Sequence, residues 1–83
     1  MKDLLDIRKE IDGIDRQIVE LFENRMVLTT QVAEYKISTG KAVFDKAREV
    51  SKLDSVASLA HSDFNSHGVR ELFEHIMSVS RKR

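Results

Sequence analysis

The sequence predicts an all-α fold: a three-helix protomer with a long N-terminal helix, paired into an intertwined homodimer. Three observations lead there. The 83 residues contain no Pro and only three Gly, so little in them interrupts a helix. Apolar residues from Leu4 to Tyr35 step by threes and fours, the spacing of one helix face. The resulting helix is too long for a globule of its own chain. About 35 residues rise about 50 Å, whereas a compact chain of this size is about 30 Å across. Something else must cover part of the seam, and a symmetric second copy is the simplest cover.

The first helix is expected from about Lys2 or Asp3 to about Ser38. Asp3, Asp6 and Glu10 place negative charge at the positive end of its dipole. Its seam runs Leu4, Ile7, Ile11, Ile14, Ile18, Leu21, then Leu28, Val32 and Tyr35, and Arg25 takes the seam position between Leu21 and Leu28. Gly13 costs about 1 kcal/mol against Ala within a helix. It marks either a close helix crossing or a tolerated surface position. Gly40 terminates the helix, and Ser38-Thr39-Gly40-Lys41 reads as a loop.

The second helix is expected from near Asp45, as N-cap or first-turn residue, to near His61. Val50, Leu53, Ala57 and Ala60 have helical spacing. Ser51, Ser55, Ser58 and Ser62 form a row on another face, read as solvated or closely packed rather than catalytic. Ser62 to Ser66 reads as a turn, with Asn65 or Ser66 capping the third helix. That helix carries Val69, Leu72, Phe73, Ile76, Met77 and Ser80 on one face. It ends in Arg81-Lys82-Arg83, cations at the negative end of the dipole. No repeat, low-complexity segment or composition shift divides the chain, so residues 1–83 read as a single domain.

Composition excludes several function classes. There is no Cys, which removes disulfides and thiolate metal sites. Lys+Arg and Asp+Glu balance at 14 each, so no bulk charge draws the chain to nucleic acid or to a membrane surface. No run is long and apolar enough to span a bilayer, and no signal-peptide core is present. We expect a cytoplasmic protein. His61, His67 and His75 lack metal-ligand spacing, with His75 read as structural. A Gly-rich phosphate loop and a nucleophile elbow are both missing. The expectation is therefore no metal and no cofactor.

What remains is a set of charged residues. Arg25 and Lys36 are eleven residues apart, which places them within about 20° on one helix face and about 16 Å apart along it. They could flank a small anion. Arg25 alone could instead be a register device paired with a partner carboxylate. Arg8 lies seventeen residues before Arg25, about 100° round and about 25 Å away, within reach of a partner's pocket in an antiparallel dimer. Asp45, Arg48, Glu49 and Lys52 share a face, either as a surface ion-pair ladder or as part of a site. A site of cations, one or two carboxylates and a hydroxyl binds a polyanion and stabilises developing charge.

These residues also carry a resemblance. Leu5-Asp6-Ile7-Arg8 with Ile11 and Asp15, Glu23-Asn24-Arg25, Val32-Ala33-Glu34-Tyr35-Lys36 and Val43-Phe44-Asp45-Lys46-Ala47-Arg48-Glu49 resemble the all-helical (type II) class of chorismate mutase along nearly the whole chain. The separations 17, 11, 9, 3 and 1 between Arg8, Arg25, Lys36, Asp45, Arg48 and Glu49 all follow the family pattern, and the Leu72-Phe73 pair agrees. The resemblance implies the Claisen rearrangement of chorismate to prephenate in aromatic amino-acid biosynthesis. The implied active sites are shared between two chains and use no cofactor or covalent intermediate. By position, Arg25 and the second protomer's Arg8 would hold the substrate carboxylates. Lys36 would hydrogen-bond the ether oxygen and help hold a carboxylate. Glu49, assisted by the Asp45 backbone, would accept from the ring hydroxyl. Arg48 would close over the substrate, and Ser80 would contact the ring carboxylate.

One departure is expected to matter. The family usually has Gln or Glu four residues beyond the helix-3 serine, which from Ser80 is position 84. Either the domain is cut from a longer chain, or the last turn frays, or catalysis proceeds with one donor fewer, a change worth about 10²–10³ in rate. Two other functions compete: an isochorismate pyruvate-lyase, and a non-catalytic helical dimerisation or regulatory module.

Overall fold

The computed structural model describes residues 2–40 and 46–82. It forms three α-helices, α1 (Leu4–Thr39), α2 (Lys46–Ala57) and α3 (Asp63–Arg81), with no strand among the described residues. The all-α, three-helix expectation holds. The chain divides into two units, Met1–Val32 and Ala33–Arg83.

The first unit is α1 as far as Val32. The Asp3 carbonyl accepts from the Ile7 N–H at 3.0 Å, so Asp3 supplies the first helical acceptor as an N-cap does. Among the described residues nothing lies within 4 Å of a Cβ built on Gly13. The seam is open to solvent: Leu21 and Leu28, which flank Arg25 in it, are 67% and 59% exposed. Met26 is 6% exposed, and Phe22, Arg25, Thr29 and Thr30 are half-buried. The covered face thus centres near Met26, about a quarter-turn round from the seam. Arg25 stands at the border between the two. Hydropathy spacing hides this face because two of its members are threonines. Their hydroxyls donate to the Arg25 and Met26 carbonyls at 2.8 and 3.0 Å, which satisfies them inside the helix.

The second unit contains the last turns of α1, then α2 and α3. The end of α1 lies one residue beyond expectation, and side-chain hydroxyls bond back to carbonyls near it. Ser38 and Thr39 hydroxyls donate to the Tyr35 carbonyl at 2.8 and 3.0 Å. Gly40 follows at φ +73°, its N–H donating to the Ile37 carbonyl, a left-handed helix end that glycine accepts without strain. The exposed row on α1 continues here with Tyr35.

Two boundaries differ from the sequence reading. First, α2 ends at Ala57 rather than near His61. Beyond it the N–H groups of Leu59 and Ala60 donate only three residues back, to Val56 and Ala57, a tightened last turn. Ser66 Oγ then donates to the Ala57 carbonyl at 3.1 Å. Second, α3 starts at Asp63, and its cap is Ser62 rather than Asn65 or Ser66. Ser62 is extended (φ −148°, ψ 158°), and its hydroxyl accepts from the Asn65 N–H at 3.1 Å. What reads as a turn is the first turn of α3. Reading Ser62 as the last member of the serine row obscured this, although Ser62 followed by acidic Asp63 is itself a helix-start signal. We expect Ser62→Ala to lower stability by about 1 kcal/mol, read as a lower urea midpoint at unchanged slope.

Val56, Ala57 and Met77 are buried in this unit, with Leu53, Val69, Phe73 and Ile76 half-buried around them. α2 and α3 pack on each other. No described helix is long and apolar enough to cross a membrane.

Candidate functional site

The short connection over residues 58–62 makes α2 and α3 antiparallel neighbours. Two ion pairs record their register. Arg70 donates to Asp54 at 2.8 Å near the connection, and Arg81 donates to Glu49 at 2.5 Å at the open end. The first turn of α2 and the last turn of α3 therefore lie together. Those turns carry Arg48, Glu49 and Ser80, three of the residues singled out by sequence.

Glu49 is half-buried, its side chain 27% exposed, and Arg48 is exposed. Glu49 forms an ion pair across to α3, with Arg81. Ser80 is half-buried, its hydroxyl donating to the Ile76 carbonyl at 2.9 Å. To meet a ligand carboxylate, that hydroxyl would exchange this bond for a charge-assisted one. Lys36, half-buried in the last turn of α1, belongs to the same unit. Arg25, half-buried, and Arg8, exposed, belong to the first unit. Asp45 lies outside the described residues.

The second unit thus carries Lys36, Arg48 and Arg81 with Glu49 and a hydroxyl. Among the described residues no group of three or more His, Cys, Asp and Glu is placed to hold a metal ion. Sequence reasoning overlooked Arg81 as a partner of Glu49, assigning it only to the basic helix end. The short connection after α2 signals antiparallel neighbours, but not the register that pairs these two residues.

The family model for chorismate mutase type II matches residues 7–83. The bifunctional chorismate mutase/prephenate dehydratase of Buchnera aphidicola subsp. Schizaphis graminum is 34% identical over 79 residues, covering 94% of this chain and 20% of its own length. The T-protein of Haemophilus influenzae is 36% identical over 55 residues, covering 66% of this chain and 15% of its own length. The chain therefore spans about a fifth or less of these curated relatives. Among solved structures, a chorismate mutase from Thermus thermophilus superposes with a TM-score of 0.88 at 25% identity, over 95% of this chain and 99% of that one.

Proposed function

The chain belongs to the chorismate mutase type II family, and from that premise we propose that it rearranges chorismate to prephenate, supplying aromatic amino-acid biosynthesis. The observation that most supports this is the antiparallel α2–α3 pair, which sets Glu49 and the turn bearing Ser80 at one end.

The reaction breaks the ether C–O bond and forms a C–C bond within one molecule, so no atom enters or leaves. Negative charge develops on the ether oxygen as that bond stretches, and a fixed ammonium there stabilises the transition state more than the ground state. Lys36 takes that role. Arg25, with Arg8 of a second copy, holds the two carboxylates in the folded, chair-like pose that brings the reacting carbons together. Arg48 closes over the substrate, Ser80 meets the ring carboxylate, and Glu49 with the Asp45 backbone accepts from the ring hydroxyl.

A second copy is the partner we propose. The solvent-exposed seam of α1, with Ile11, Ile14, Ile18 and Leu21 each at least half exposed, is the face it would cover. The cytoplasm is the compartment we propose, since these residues contain no cysteine and need no oxidising environment to fold.

The test is product identity. Chorismate incubated with the chain should disappear with appearance of prephenate, at a rate proportional to protein and unaffected by a chelator. Salicylate and pyruvate from isochorismate would assign the lyase instead. Neither turnover nor calorimetric binding of chorismate would assign a non-catalytic helical module.

A further inference from the structure

We propose that Arg81 is a positioning residue for Glu49, holding one carboxylate oxygen so that the group keeps a fixed direction toward the substrate's ring hydroxyl. The inference rests on Glu49 accepting from that hydroxyl. Arg81 Nη1 donates to Glu49 Oε1 at 2.5 Å, from the last turn of α3 to the first turn of α2. A carboxylate has about four lone-pair sites, so one guanidinium bond at Oε1 leaves capacity to accept a hydroxyl.

The pair does two things for a dianionic guest. It restrains a glutamate side chain that would otherwise sample several rotamers. It also sets a positive charge against a carboxylate that would otherwise repel the substrate's own carboxylates. The folding contribution is small by comparison. Side chains that are 45% and 27% exposed form a pair largely screened by solvent, so removing Arg81 should register in turnover rather than in stability. A role confined to the helix dipole would need no partner on α2.

The experiment is a double-mutant cycle on the full chain, with kcat/KM for chorismate and thermal unfolding measured for wild type, Arg81→Met, Glu49→Ala and the double variant. Arg81→Met should lower kcat/KM about tenfold in the wild-type background and less than about twofold in the Glu49→Ala background. Arg81→Lys should return to within about threefold of wild type, since an ammonium keeps the charge but not the fork. All variants should unfold cooperatively at similar temperatures. An active wild type with Arg81→Met within twofold of it overturns the proposal, as does an equal loss in both backgrounds. A wild type without turnover, or an unimpaired Glu49→Ala, withdraws the role of Glu49 and this proposal with it.

Discussion

Lys36→Ala should lose about 10²–10³ in kcat, the usual cost of removing one preorganised donor from a developing oxyanion. Lys36 is half-buried in the last turn of α1. A fixed ammonium there costs little reorganisation as the ether bond stretches, which is why its loss should fall on kcat more than on KM. Folding should barely change. A cation in the last helical turn contributes about 0.3–1 kcal/mol through the dipole, and the Ser38 and Thr39 hydroxyls that bond the Tyr35 carbonyl remain. Steady-state kinetics beside a urea melt separates the two effects. Lys36→Arg should recover only part of the rate, because a planar guanidinium spreads its charge and cannot occupy the same point. Turnover near wild type in Lys36→Ala would remove Lys36 from the chemistry.

The helices were legible because their signals are local. Seam spacing and the lack of proline marked α1, and Gly40 closes it in the left-handed conformation that its position suggested. Less local facts were harder to read. Whether Ser62 ends one helix or starts the next depends on which carbonyls and N–H groups its neighbours leave open. The structure settles it with the Ser62–Asn65 bond. The covered face around Met26 was hidden because threonines that bond within the helix look polar to a hydropathy pattern. For the candidate site, Arg8, Arg25, Lys36, Asp45, Arg48 and Glu49 stood out by charge and helical spacing, and the resemblance gave them and Ser80 their roles; neither carries contacts. The Arg81–Glu49 pair is a contact between residues 32 apart in sequence. It depends on the register of α2 against α3, which no local spacing encodes.

That a pocket is completed by a second copy's arginine is the central claim, and two crippled variants can test it together. Arg8→Ala should be nearly inactive, since each of its sites lacks a carboxylate-binding guanidinium. Lys36→Ala should be nearly inactive for the reason above. Arg8 is exposed and lies about 25 Å along α1 from Arg25, too far for the two side chains of one chain to hold the same small ligand. In a dimer of one chain of each kind, one site then carries both substitutions and the other carries neither. Unfolding an equimolar mixture and refolding it pairs the chains at random, so about half the dimers are mixed, each with one complete site. The kcat/KM of the refolded mixture should therefore rise to about a quarter of wild type, far above either parent alone. A mixture that stays at the average of its two parents would contradict the shared site.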